Sequence, residues 1–282
     1  MFCFIKYSLL FFFAAFAMST QAQSKSFPTN KHIDKSMFLF DNIKYVITGK
    51  HTCKIGESND VSGNIIIPDS VVHNGQTFYV TAIEDMAFLC CDELTSIILP
   101  NSITNIGVGA FTGCHGLQKI ELPKKNCSIG GGAFKSCLAL TEISIPNGIQ
   151  YIESQTFYDC PSLGFVSLPD GVLTICADAF SGCQSLCQLT LPSSITIIGE
   201  QAFVNCTNLR SIAIPSSVTD IYKCAFLGCN CLEDIKCFAK IPPTLYGNYT
   251  FPRNSKIHVP RGYAKEYQQA AYWKEYNIVA DI

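Results

Sequence analysis

Phenylalanine recurs at positions 88, 111, 134, 157, 180, 203 and 226, each 23 residues after the last. Cysteine follows three residues later every time, at 91, 114, 137, 160, 183, 206 and 229, and leucine three after that, at 94, 117, 140, 163, 186, 209 and 232. Ile97, Ile120, Ile143, Val166, Leu189, Ile212 and Ile235 keep the same step, as do Ile106, Ile129, Ile152, Ile175, Ile198 and Ile221. A fixed period of this length is the mark of a repeat architecture. One 23-residue unit cannot bury its own apolar side, so neighbouring units must stack and cover one another. The 282 residues would otherwise allow two globular domains. The period replaces that expectation with one elongated solenoid.

Each unit has a physical reading. In Leu94-Thr-Ser-Ile97-Ile-Leu99-Pro100, Ile97 and Leu99 lie two apart and share one face of a strand, while Ile98 points to the other. Pro100 lacks an N–H and ends the ladder. Asn101-Ser102 makes a corner, Ile103 and Ile106 turn inward, and Gly107 permits a further bend before Ala110-Phe111. Stacked at about 4.8 Å, such units predict a coil with one face of short parallel strands.

The period and the L-x-x-I-x-L core lie in the leucine-rich-repeat range. More closely, the unit resembles the BspA-like leucine-rich repeat, whose pattern runs A-F-x-x-C-x-x-L-x-x-I-x-I-P-x-x-V-x-x-I-G. Ala179-Phe180, Cys183, Leu186, Leu189, Leu191-Pro192, Ile195 and Ile198-Gly199 match it position by position. The resemblance spans about 60 to 282 and extends to the flanks, with Asn42–Ile47 similar to an opening strand and Ile241–Leu245 and Val259-Pro260 similar to the usual ending. It implies a leucine-rich-repeat solenoid, a β-dominated α/β right-handed superhelix of about seven coils with N- and C-terminal caps. It also implies a bacterial protein of Bacteroidota type that acts in adhesion or protein–protein binding.

The flanks divide the chain further. Residues 1–22 carry Lys6, an apolar stretch from Leu9 to Met18 and the small-residue exit Thr20-Gln21-Ala22, which reads as a secretory signal. The alternative is a membrane anchor, for which ten apolar residues fall short of the about 20 that a spanning helix needs. Residues 23–37, rich in Ser, Lys, Thr and Asn, read as a disordered lead-in. Residues 38–83 form an N-terminal cap and an irregular first coil. Pro68 to Pro100 exceeds one period by nine residues, and the excess falls within 69–79 as a protruding hairpin or loop. Regular repeats then fill 84–251. Residues 252–282 form a C-terminal cap with a helix, in which Tyr263, Tyr267 and Ala270 have helical spacing.

Sixteen cysteines suggest a disulfide or metal scaffold. The register redistributes them. Cys3 leaves with the signal and seven sit on the ladder, where small buried thiols serve packing. Eight others remain. Four of the fifteen, Cys224, Cys229, Cys231 and Cys237, cluster in the last coil, where a disulfide or a structural zinc are both open readings. The spacing C-x4-C-x-C-x5-C lacks paired knuckles. The five histidines, at 32, 51, 73, 115 and 258, recur with no carboxylate–nucleophile set. His115 follows Cys114, but a ladder thiol is buried and unactivated. Gly130-Gly131-Gly132 serves a corner. The reading is therefore of a protein that is not an enzyme and takes no metal and no other cofactor.

The net charge is -2, or -3 without Lys6 (19 basic against 22 acidic residues), which argues against nucleic-acid binding. A binding surface remains. Outward strand positions fall side by side in a solenoid, and they nominate Ile98, Lys119, Glu121, Glu142, Phe165, Gln188, Arg210, Glu233, Asp234 and Lys236 as the candidate face. Phe165 reads as an anchor for a partner, against the alternative of a scattered apolar surface residue. The expected partner is a protein or glycoprotein, with no transmembrane segment after the signal. The expected role is a secreted or cell-surface binding protein. The rivals are a structural envelope protein without a soluble ligand, and an accessory factor in glycan or peptide processing. Asn126-Cys-Ser128, Asn205-Cys-Thr207 and Asn248-Tyr-Thr250 fit the N-glycosylation pattern, which carries no meaning in a bacterium.

Overall fold

The computed structural model describes residues 36–124 and 126–282. The secretory signal and nearly all of the lead-in lie outside these residues. The lead-in ends earlier than the composition suggests. Met37 already belongs to strand β1 (Met37–Phe40), which pairs antiparallel with β2 (Ile43–Gly49), and the Ser36 carbonyl accepts the Ile47 N–H at 2.6 Å.

The L-x-x-I-x-L cores form a first strand face. Its rungs are Gly63–Ile66, Leu94–Ile98, Lys119–Glu121, Glu142–Ser144, Phe165–Ser167, Ser211–Ile214, Asp234–Cys237, Lys256–Val259 and Asn277–Ala280. The coil through Leu189 occupies the same row without a regular strand. Register is one period per rung: Ile97 opposes Ile120, Ile143 opposes Val166, and Ile212 opposes Ile235. The sequence anticipates one such face, and the structure has two. The isoleucines at 106, 129, 152, 175, 198 and 221 form a second row of two-residue parallel rungs, running from Thr52–Ile55 to Thr244–Leu245. The inserted segment is an antiparallel hairpin, Ser70–His73 with Gln76–Ile83, whose second strand continues into this row.

The third side of the coil is built from turns. Met86 and Cys90 have φ of 56° each, and the same two places in later coils are also left-handed, through Gln155 and Asp159 to Cys224 and Gly228. From one left-handed place to the other, four residues on, every second N–H points along the solenoid axis. Thus the amides of Met86, Phe88 and Cys90 donate to the carbonyls of Val108, Ala110 and Thr112 in the next coil, at 2.9, 2.8 and 2.8 Å. The intervening Ala87, Leu89 and Cys91 bond three residues back. Some of the left-handed positions are not glycine, and each of those costs roughly 1–2 kcal/mol. The forward hydrogen bonds offset that cost, because an unmade buried bond is at least as expensive.

Glycine is required where coils approach closely. A Cβ on Gly107 would stand 2.5 Å from the Asp85 backbone nitrogen. The phenylalanines stack through the centre of the solenoid. From Phe88 to Phe251, consecutive rings lie 5.0–5.6 Å apart with planes within 18° of parallel. Every ring in this stack is buried. At the C-terminal end, Trp273 and Tyr276 close the stack at 5.6 Å, tilted 43° and 80°.

The C-terminal cap departs from a continuous helix. The helix covers only Ala264–Gln269; Ala270 is extended, Tyr272 is left-handed and a short 3-10 turn follows at Trp273–Glu275. The reason is burial. Continuing the helix would carry Trp273 away from the core end, whereas the break sends its indole N–H to the Pro243 carbonyl at 2.7 Å. Asn277–Ala280 then adds a last parallel rung. Phe157 lies mid-stack with a ring on each side. Phe157→Ala should lower unfolding free energy by about 3–5 kcal/mol in a urea titration; an unchanged midpoint would refute the stack as the core of the fold.

Candidate functional site

Strand pleating sends every second residue of the first face outward, in two columns along the axis. All ten nominated residues are exposed there. Phe165 is 58% exposed and sits directly opposite Glu142 in the ladder. Lys119 and Glu121 form an ion pair at 3.3 Å within one rung. Together with Ser144 and Leu122 these side chains line an open hollow of about 300 Å³. The small Ser144 keeps its floor low. Phe165 thus forms a wall, and Lys119, Glu121 and Glu142 form a charged rim.

The remaining nominees divide. Ile98 opposes Ile66, which is 73% exposed, so the N-terminal end of the face carries an apolar pair. Sequence reading missed Ile66 because its coil holds the insertion. Asp234 and Lys236 join a charged group at the C-terminal end, where Lys256 and His258 oppose them. His258 Nδ1 lies 2.9 Å from Asp281 Oδ1 and its Nε2 lies 3.3 Å from Asp234 Oδ1. This histidine was legible only as an isolated residue; the x-I-x pattern of Lys256-Ile257-His258 was its signal. Glu233 borders the histidine group, its carbonyl accepting the Lys256 amide at 2.7 Å, while Gln188 and Arg210 are exposed on the same face and do not line the hollow. From Ile98 to Lys236 is six rungs, about 29 Å. A long, shallow surface of this kind suits a macromolecule better than a small molecule, which needs an enclosing pocket.

The cysteines do not form the scaffold that their number suggests. All fifteen described cysteines are free thiols. Each ladder thiol has a partner of its own. The Cys114 Sγ donates to the Phe88 carbonyl at 3.0 Å, the Cys137 Sγ to Phe111 at 3.2 Å, the Cys160 Sγ to Phe134 at 3.0 Å, and the series runs on to Cys229 and Phe203. The same carbonyl already accepts an amide from its own coil, as Phe88 does from Cys91. Cysteine fits because it is a donor small and apolar enough to lie fully buried. The last-coil cluster does not converge. Cys229 is spent on Phe203, Cys237 meets the Tyr267 hydroxyl at 3.2 Å, and Cys231 is exposed. Both the disulfide and the zinc reading of that cluster are therefore corrected. Among the described residues, no three His, Cys, Asp or Glu side chains are placed to hold a metal. His115 points to Asp92 at 2.7 Å on the surface, while the Cys114 sulfur faces the core. Among the described residues no helix is long and apolar enough to cross a membrane.

Burial pushes the Cys160 thiol up to about 12, and Cys53 and Cys127 up to about 11; Cys137 and Cys183 are also raised by burial. A raised folded value means the native state favours the protonated thiol. That contribution is full below the unfolded thiol value of about 8.5 and is lost as pH rises through the folded values. The urea midpoint should hold through neutral pH and fall steadily above about pH 9. Iodoacetamide on the native protein should modify Cys90, Cys187 and Cys231, the exposed thiols, and reach the ladder only after unfolding. Intact-mass measurement counts the adducts, and labelling of native Cys160 would contradict the buried ladder.

The sequence pattern of the BspA type leucine-rich-repeat region matches residues 81–175 and 152–259, in six copies. Among solved structures, a leucine-rich-repeat protein from Bacteroides ovatus is 27% identical, with a TM-score of 0.53, over 79% of this chain and 70% of that one. A leucine-rich-repeat protein from Bacteroides capillosus is 28% identical over 48% of this chain and 99% of that one, with a TM-score of 0.43. The T. pallidum leucine-rich-repeat protein is 26% identical over 75% and 88%, with a TM-score of 0.48. No curated protein matches.

Proposed function

The chain belongs to the BspA-type leucine-rich-repeat family, and from that premise we propose that it is an exported, surface-displayed binding protein that holds a protein ligand on its first strand face. The observation that carries this reading is Phe165, a large aromatic side chain left mostly in water at the middle of a rigid strand face. An exposed aromatic flanked by charged rims is the arrangement found at the energetic centres of protein interfaces. Phe165 supplies buried area on docking, and Lys119, Glu121 and Glu142 orient the partner by charge. The apolar Ile66–Ile98 pair and the Asp234–Lys236–His258 group extend the surface toward the two ends. The secretory signal read in residues 1–22 delivers the chain across the membrane. Adhesion to extracellular-matrix proteins or to another cell is the role that suits a long binding face on an exported chain.

Surface plasmon resonance of residues 23–282 over immobilised matrix proteins and mucins tests the reading. At least one saturable partner is expected. Phe165→Ala should weaken that partner by about tenfold or more, as an interface centre does, while shifting stability by no more than about 0.5 kcal/mol because the side chain is exposed. A flat response on every surface would favour a structural envelope role without a soluble ligand.

A further inference from the structure

The second strand face stops at Thr244–Leu245, which pairs with Asp220–Ile221 on one side and, among the described residues, with no strand on the other. The residues just beyond these rungs are Tyr222 and Tyr246, and their rings stack at 4.5 Å with planes 9° from parallel. Tyr246 nevertheless stays 50% exposed. A ring with one face covered that keeps half its surface in water has its other face open. Here that is the face turned to the C-terminal end of the row. The plate is also fixed in place. The Tyr246 hydroxyl donates to Asp220 Oδ1 at 2.9 Å, and Asp220 Oδ2 accepts from Thr219 Oγ1 at 2.6 Å. Each carboxylate oxygen keeps a lone pair for a further donor. The Lys223 stem passes close to Gly247, within 3.1 Å of where a Cβ would stand, and the residue is exposed beside the plate.

An open aromatic plate held rigidly beside hydroxyl-accepting and hydroxyl-donating groups has a specific chemistry. The electron-rich ring face attracts the polarised C–H bonds on the apolar side of a sugar ring, and the rim groups meet its equatorial hydroxyls. A purely apolar ligand would cover the plate but desolvate Asp220 and Lys223 without replacing their hydrogen bonds, which is costly. An acidic ligand would face the Asp220 carboxylate. We propose that Tyr246 and Asp220 form a subsite for a neutral pyranose unit of a glycan, on the second strand face and apart from the protein-binding face. A second exposed tyrosine stands on the same strand face, in the column of Asp220. Tyr151 is 48% exposed and lines an open hollow of about 260 Å³ with Gln150, Ser128 and Glu153. It lies four rungs from the Tyr246 coil, about 19 Å along the axis. An extended oligosaccharide lying along the row therefore reaches both.

Native affinity electrophoresis of the purified chain, in gels containing soluble β-glucan, α-mannan or galactomannan, tests this site. At least one of these neutral polysaccharides should retard the parent protein. Tyr246→Ala should raise the dissociation constant by about tenfold or more, the size of a lost stacking contact. Tyr246→Phe keeps the plate and should retain most of the retardation, and Asp220→Ala should fall between. Because Tyr246 is exposed, thermal melts of the variants should match the parent, which separates lost binding from lost folding. Phe165→Ala should leave this retardation unchanged, which keeps the site independent of the protein-binding face. Retardation by none of the polysaccharides, or equal retardation of the parent and Tyr246→Ala, overturns the proposal. So does retardation abolished by Phe165→Ala and spared by Tyr246→Ala.

Discussion

A turn bounded by two left-handed residues four positions apart aims every second amide along the chain of coils instead of back into its own turn. The segment around each buried phenylalanine does this, and three amides per coil are answered by three carbonyls of the next coil. That exchange sets the spacing between coils. Spacing in turn fixes the ring separation of the phenylalanine stack and lets the ladder thiols from Cys114 to Cys229 reach the phenylalanine carbonyl one coil back. The two strand rows need little regular ladder of their own. Rungs of two residues on the second face, and an unassigned rung through Leu189 on the first, stay in register because the turn side holds them there.

The surface chemistry depends on that framework at one remove. Phe165 faces water because Val166 beside it is committed to the core, and the ladder partner of Phe165 is Glu142 because the period allows no slip. A one-residue slip would turn the whole outward column inward. The outward positions can therefore vary freely in chemistry while their geometry stays constant. The end of the second row shows the complement of this rule. Where the second row has no further rung among the described residues, an outward tyrosine that would have been an inner plate of a column becomes an open one.

Much of this was legible in the sequence. The spacing of phenylalanine, cysteine, leucine and isoleucine identified the core residue by residue, and all of those positions are buried. The family resemblance and the outward positions of the first face followed from the same register. What remained hidden depends on backbone conformation more than on side-chain pattern. The second strand face escaped because Ile-Gly at 106–107 reads as a bend, and a two-residue rung offers no alternation to detect. The hydrogen-bonding role of the cysteines escaped because burial and donation leave the same trace in a sequence. Nine of the fourteen left-handed places along this turn row carry residues other than glycine, such as Gln155 and Asp178, so no glycine ladder announced them. The early stop of the C-terminal helix was fixed by a distant need, the burial of Trp273 at the end of the stack. His258 became meaningful only when folding set it between Asp234 and Asp281.

The forward pattern of the turn amides has a consequence for inheritance. Every internal coil receives from the coil before it what it gives to the coil after it, so an interior unit is bounded by two equivalent junctions. Recombination that removes or duplicates a whole number of units in the gene leaves both junctions chemically intact. Loss of a fraction of a unit breaks the register on both faces at once. Lineages of such a gene should therefore differ in length by entire coils, and the distance between surface features should change in steps of one rung while each feature keeps its own local geometry.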